Sequence, residues 1–313
     1  MQDTVSLLSP FLQDKFDKEN SEDLKRFADK VLAFRMAHGR HFPWQETFDP
    51  YRILVSEIML QQTQTERVVA KYQAFTEHWP TLESLAKAGV DEVLPLWKGL
   101  GYNRRCLNLI KAAKMTEDFG YQIPDDPTFI SSLPSVGPST TAALLSFAFG
   151  HPSIYIETNV RTVLFTLFYP QTKKDEKVAE NQLTYGKKAT ISDKELKSLL
   201  ENILPFVTDT KQWYYALLDV GAQMKKELPP DTARSSHYHS QSPFKGSDRQ
   251  LRGQVLQQII DKGPQTAKQL LTCLAEKGWE TTRISKALWT LLQDGLLCKD
   301  PGDRYGLPRK QDD

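Results

Sequence analysis

From about residue 23 to residue 205, apolar side chains recur every three or four positions, and Pro or Gly interrupts the pattern between segments. That spacing is the period of a helix with one buried face. A strand, whose faces alternate every second residue, does not produce it. SEDLKRFADKVLAFRMAHG, PYRILVSEIMLQQTQTERVVAKYQAFTEHW, TLESLAKAGVDEVLPLWKGLG, NRRCLNLIKAAKMTEDFG and STTAALLSFAFG carry the pattern most clearly. Punctuation agrees with it: Thr81 stands at an N-cap position, and Gly39, Gly120 and Gly150 follow helical segments. The region shows neither sustained alternation nor an internal repeat, so an all-α fold is expected.

The character of the chain changes at residues 227–247 (ELPPDTARSSHYHSQSPFKGS), which are rich in Pro, Ser and His and poor in aliphatics. That composition reads as a linker or irregular surface segment. Three further helical pieces follow, DRQLRGQVLQQIIDKG, TAKQLLTCLAEKG and ETTRISKALWTLLQDG, and then two strand-like runs around the turn signal DPGD. Three helices and a terminal hairpin are the pattern of a winged helix, with the third helix as recognition helix if the module touches DNA. The expected organisation is a first domain over 1–228, a linker over 229–247 and a small winged-helix-like domain over 248–313.

The 313 residues carry a formal net charge of +1, so any nucleic-acid surface must be local. The three cysteines, Cys106, Cys273 and Cys298, lie far apart, with neither a disulfide framework nor metal-ligand spacing. The first twenty residues mix acidic and basic side chains and lack a signal peptide's apolar run. No run of about 18 apolar residues occurs. A cytoplasmic, nucleoid-associated location is expected.

Three stretches could carry chemistry. In LPSVGPSTTAALLSFAFG (133–150), a Pro-x-x-Gly-x-Ser/Thr turn leads into an apolar helix. Gly137 would permit a backbone conformation and a closeness of approach that a side chain blocks. A helix starting near Ser139 or Thr140 would present N–H groups suited to a phosphate, although a tight turn between core helices reads the same way. In EIMLQQTQ, Glu57 lies among Ile53, Leu54, Ile58, Met59 and Leu60. A carboxyl group held near apolar side chains can keep a proton near neutral pH, whereas a solvent-facing Glu cannot. The polar run Gln61, Gln62, Thr63, Gln64 suits insertion among bases and is equally an ordinary helix end. In WKGLGYNRRCLNL (97–109), Gly99 and Gly101 make a turn, and Tyr102, Asn103, Arg104 and Arg105 present a ring, an amide and two cations. Stacking with phosphate contact is one reading, a solvated basic helix start the other.

Taken together and in order, FPWQ (42–45), PYRILVSEIMLQQTQ (50–64), LWKGLGYNRRCLNL (96–109), LPSVGPSTTAALLSFAFG (133–150), ETNVRTV (157–163) and YALLDVGA (215–222) resemble a helix-hairpin-helix DNA glycosylase of the MutY type, an adenine DNA glycosylase. The resemblance spans roughly residues 25 to 225. It implies a fold of two helical subdomains and removal of a flipped-out base from double-stranded DNA by a monomer. It assigns Glu57 as the acid that protonates adenine. It places Glu157 where a carboxylate stabilises or attacks the sugar cation. Gln62, with Gln61 and Leu60, would fill the gap in the base stack. The hairpin Leu133–Ser139, including Pro134, Val136, Gly137 and Ser139 and running into Thr140, would hold the phosphate backbone, commonly with a monovalent cation. Asn159 and Tyr102 would support the catalytic pocket.

Bifunctional relatives similar to endonuclease III carry a nucleophilic lysine eighteen residues before the catalytic carboxylate. Here that position is Ser139, so a monofunctional enzyme leaving an abasic site is expected. The chain departs from the family pattern in four places. Glu157 replaces the usual Asp and extends the carboxylate by about 1.5 Å. The four cysteines of the family's iron–sulfur cluster are lacking, so no cluster and no required cofactor are expected. KKELPPDTARSSHYHS occupies that place, with His237 and His239 read as linker residues. The C-terminal residues look like a winged helix rather than a NUDIX-like domain. Ser135 stands where the hairpin often has Gly. Two alternatives remain open: the same fold acting on mispaired thymine, uracil or a deaminated purine, and a non-catalytic DNA-lesion-binding protein.

Overall fold

The computed structural model describes residues 6–169, 191–228 and 243–309. Along the chain the helices are α1 (Ser9–Leu12), α2 (Ser21–His38), α3 (Pro50–Leu60), α4 (Thr65–His78), α5 (Leu82–Ala86), α6 (Val90–Trp97), α7 (Arg104–Lys114) and α8 (Pro127–Ser132). Then come α9 (Pro138–Phe147), α10 (Thr158–Phe168), α11 (Asp193–Ile203), α12 (Thr210–Glu227), α13 (Asp248–Lys262), α14 (Ala267–Ala275) and α15 (Thr281–Gln293). The strands are β1 (Gln265–Thr266), β2 (Cys298–Lys299) and β3 (Arg304–Gly306), all C-terminal. The helical expectation for the first 228 residues therefore holds throughout the described part of that region. Most of the expected linker, with His237 and His239, lies outside the described residues.

The chain divides into two compact units: Met1–Pro50 with Gly137–Ser240, and Tyr51–Val136 with Gln241–Asp313. In the first unit, α12 packs against α2 and α10. Phe27, on α2, meets Phe168 edge-on at 5.0 Å and Trp213 at 6.3 Å between ring centroids. All three rings are buried. At this helix junction Asp219 is 3 % exposed and holds two cations. Arg35 Nη1 donates to its Oδ2 at 2.8 Å, and Arg40 Nε to its Oδ1 at 2.7 Å. Arg35 also donates to Gln45 Oε1 at 3.3 Å. The FPWQ and YALLDVGA stretches are thus tied by one buried charge network, where loss of a partner leaves an uncompensated ion.

In the second unit, α3 to α7 enclose Phe75, Trp79 and Trp97, and Tyr51 Oη donates to the Trp79 carbonyl at 2.6 Å. The C-terminal segment belongs to the same unit. Leu251, Val255, Leu270, Leu274, Ile284, Leu288 and Leu291 from α13, α14 and α15 form its apolar centre, all at most 3 % exposed. The sheet has the order β1–β3–β2, with both pairs antiparallel. The expected hairpin is β2 and β3; β1, two residues between helices, escapes sequence reading because two residues show no periodicity. The Asp91 N–H at the start of α6 donates to the Pro308 carbonyl at 3.1 Å, which pins the chain's end to the central helices.

Candidate functional site

Each compact unit carries one of the two candidate carboxylates. In the second unit, Glu57 sits in the last turns of α3. Ile53, Leu54, Ile58 and Met59 around it are at most 1 % exposed. Glu57 and Leu60 are themselves half-buried. Beyond Leu60 the chain turns sharply, and the exposed Gln62 takes a left-handed backbone (φ 55°). Tyr102 (φ 47°) and Ser135 (φ 66°) do the same. Such a conformation costs a non-Gly residue about 1–3 kcal/mol and persists only where the surroundings fix it. Gln61 Nε2 donates to the Ser135 carbonyl at 3.0 Å, and Asn108 Nδ2 to Ser135 Oγ at 2.7 Å. The structure therefore brings Gln61, Gln62 and Ser135 together.

Arg105 fixes the remaining loop, and here the sequence reading needs correction. It does not present a cation to solvent beside Tyr102 but turns inward and is 7 % exposed. Nη1 donates to the carbonyls of Ile58 at 2.7 Å and Met59 at 3.1 Å, and also to that of Gln61. Nη2 donates to Thr63 Oγ1 and to the carbonyls of Leu100 and Gly101, each at 3.1 Å. The guanidinium satisfies carbonyls at the C-terminal end of α3 that no further helical turn can reach, and complements that end's negative dipole. Desolvation pulls its pKa down to about 10. One buried cation thereby joins the helix of Glu57, the Gln61–Thr63 turn and the Leu100–Tyr102 turn. Arg105→Lys, with one nitrogen in place of the fork, should cost about 2–4 kcal/mol of stability. A lower Tm and weaker DNA binding are expected; an unchanged Tm contradicts this role.

The hairpin joins α8 to α9. Val136 and Thr140 are buried, Pro134, Ser135 and Ser139 half-buried, and Gly137 exposed. Helix α9 starts at Pro138, one or two residues earlier than expected, with Gly137 as N-cap. Gly137 has φ −97°, and a Cβ built on it meets nothing within 4 Å. The backbone therefore does not require glycine there; open space for an approaching group is what remains of that argument. The left-handed position is Ser135, where a glycine would take the same backbone without strain. The first bond of α9 runs from the Thr141 N–H to the Gly137 carbonyl at 2.9 Å. The N–H groups of Ser139 and Thr140 precede it, at the positive end of the helix.

In the first unit, Glu157 is half-buried and is the N-cap of α10. Its Oε1 accepts from the Asn159 N–H at 2.6 Å and the Val160 N–H at 3.2 Å. Asp is a preferred N-cap and Glu is not, because the longer chain must fold back to reach its own helix. That fold-back absorbs the extra methylene. Desolvation raises the Glu157 pKa; the Lys225 ammonium and the N–H groups of residues 158–160 pull the other way, and desolvation wins. Lys225, on α12, is lowered by desolvation and raised by Glu157. Sequence reasoning missed Lys225, which stands 68 positions beyond Glu157. It also missed Gly221: a Cβ there would lie 2.5 Å from the Asn159 carbonyl oxygen, so only glycine lets α12 pass this close to the start of α10. Lys225→Met should let the Glu157 pKa climb further. If the charged carboxylate is the active form, the acidic limb of the kcat/KM profile moves to higher pH. A profile that does not move contradicts the coupling.

Among the described residues no group of three or more His, Cys, Asp or Glu comes together as a metal site. Cys106 is buried in α7, Cys273 and Cys298 are half-buried, and all three are free. Three separated thiols do not fit a four-thiolate cluster. No helix among the described residues is long and apolar enough to cross a membrane.

Residues 55–188 match the model for HhH-GPD superfamily base excision DNA repair proteins. The chain is 30% identical over 298 residues to an adenine DNA glycosylase of Mycolicibacterium smegmatis, covering 89% of this chain and 94% of that one. It is 34% identical over 202 residues to an adenine DNA glycosylase of Buchnera aphidicola, covering 63% of this chain but only 52% of the relative. Among solved structures it is similar to a thermostable thymine-DNA glycosylase, with a TM-score of 0.52, 27% identity, and coverage of 65% of this chain and 88% of that one.

Proposed function

The chain belongs to the adenine DNA glycosylase family of helix-hairpin-helix base excision repair proteins, and we propose that it excises adenine mispaired with 8-oxoguanine or guanine in double-stranded DNA. The reaction is hydrolysis of the N-glycosidic bond. Glu57 gives its proton to the adenine ring, the bond to C1′ breaks, and adenine leaves. Water then adds to C1′ and releases a proton, which leaves an abasic sugar in an unbroken strand. The Glu157 carboxylate stabilises the positive charge that develops on the sugar. Gln62 fills the vacated space in the stack, with Leu60 and Gln61 beside it. The start of α9, with the N–H groups of Ser139 and Thr140, takes a backbone phosphate. The hairpin turn supplies neutral carbonyl oxygens, the donor class that a monovalent cation would take, and no protein metal is needed for the chemistry. Tyr102 and Asn159 support the base and the sugar side. We read residues 248–309 as winged-helix-like.

The observation that carries this reading is Glu157 as N-cap of α10. A carboxylate is held there by two backbone N–H groups, with Lys225 close enough to favour its charged form. The sequence places Ser139, not an amine, at the position of the relatives' nucleophile. Excision of a mispaired thymine is a second reading, favoured by the likeness to the thymine-DNA glycosylase. Duplexes holding A opposite 8-oxoguanine, A opposite G, T opposite G, U opposite G and hypoxanthine opposite T separate the readings. Alkali-dependent scission at A alone is expected. Scission at another base supports the second class, and binding without scission a non-catalytic protein.

A further inference from the structure

A cavity of about 620 Å³ lies in the second unit, between the last turns of α13, strand β1 and helix α14. The volume is that of a small-ligand site. Gln258, from α13, and Gln265, from β1, line it, and each is only 7 % exposed. Both use their amide N–H groups within the fold. Gln258 Nε2 donates to Cys273 Sγ at 3.0 Å, and Gln265 Nε2 to the Gln258 carbonyl at 3.1 Å. Neither Oε1 accepts a hydrogen bond from a described residue. An amide oxygen on a buried side chain without a donor is a place for an incoming N–H. Lys262 and Lys268 flank the cavity, both exposed and in no ion pair among the described residues. Glu276 also lines it, so two cations against one carboxylate leave it positive. Cys273 stands half-buried in the same wall as a free thiol. Partly exposed thiols in electropositive surroundings are the ones that exchange with disulfides.

We propose that this cavity is a thiol-modification site: it binds an anionic, amide-bearing disulfide of low molecular weight, of the glutathione class, and Cys273 takes one half of it as a mixed disulfide. Lys262 and Lys268 meet the carboxylates of the incoming molecule, and the Gln258 and Gln265 oxygens accept from its amide N–H groups. The Cys273 proton goes to solvent, and the thiolate attacks one sulfur of the disulfide. The new S–S bond forms as the old one breaks, and the departing half leaves with the electron pair as a thiolate. Cys273 is oxidised and the departing half reduced. Thiol reductants remove this cap, and while it stands the sulfur is kept from irreversible oxidation to its oxygen acids. Neither Glu57 nor Glu157 takes part.

The test exposes the full, reduced chain to glutathione disulfide and, separately, to cystamine, a cationic disulfide, and follows each cysteine by peptide mass mapping. Cys298 is the internal control. It is free and half-buried like Cys273, but burial and the Asp300 carboxylate push its thiol up. Glutathione disulfide should capture Cys273 before Cys298. The ratio of its rate to that of cystamine should be at least about 10-fold higher at Cys273 than at Cys298, the lower end of what a charged cleft adds to an encounter rate. The double variant Lys262→Ala, Lys268→Ala should bring the Cys273 ratio down to that of Cys298. Both lysines are exposed, so their truncation leaves the core intact, and a thermal melt checks it. A Cys273 that stays reduced, a Cys298 that reacts as fast, or an anion preference that survives the loss of both lysines overturns the proposal.

Discussion

Glu57→Gln should leave the chain folded and bound to DNA while lowering the rate of adenine excision by about 10²–10⁴-fold, the usual contribution of a positioned general acid. The side chain is half-buried at the end of α3, so an isosteric amide disturbs little packing. What it removes is the transferable proton. Adenine is a poor leaving group until its ring is protonated, so the loss falls on the chemical step and appears in kcat. Single-turnover excision with saturating enzyme checks this directly. A Gln variant that cuts at the original rate removes Glu57 from the mechanism.

Glu157→Gln should have an effect of about 10²–10³-fold or more for a different reason. The amide oxygen of Gln can still accept from the Asn159 and Val160 N–H groups, so the cap and the fold survive. Only the negative charge is lost, and with it the stabilisation of the sugar cation. Glu157→Asp keeps charge and is the better cap, so it should retain most of the activity. Together the pair separates charge from cap. Equal loss in both variants would falsify the charge role and make Glu157 a structural residue. Retention of activity in Gln would sink the two-carboxylate mechanism. Thermal melts on both variants show whether the cap was kept.

The sequence made the helices legible because burial imposes a 3.6-residue period that Pro and Gly cannot continue, and α2 to α7 and α9 follow it. Glu57 and Glu157 were legible as carboxylates among apolar neighbours, and the motif order gave them a family. Pairings distant in the chain were not legible. Arg105 reads as a surface cation until its carbonyl partners on α3 are known, because backbone acceptors leave no mark on side-chain pattern. Lys225 and Gly221 act on the start of α10 from a helix more than 60 residues downstream. Gly137 and Ser135 exchanged roles: the glycine has an ordinary backbone and the serine a left-handed one. Composition alone points to the glycine in such a turn, and only φ separates the two.

The proposed reaction removes adenine by hydrolysis, without an amine nucleophile. It is tested most directly by incubating the full chain with a 5′-labelled duplex holding A opposite 8-oxoguanine, with and without borohydride. Free adenine, a strand that stays intact until alkali is added, and no covalent protein–DNA adduct are the predicted result. Efficient borohydride trapping, strand scission without alkali, or failure to release adenine would contradict it.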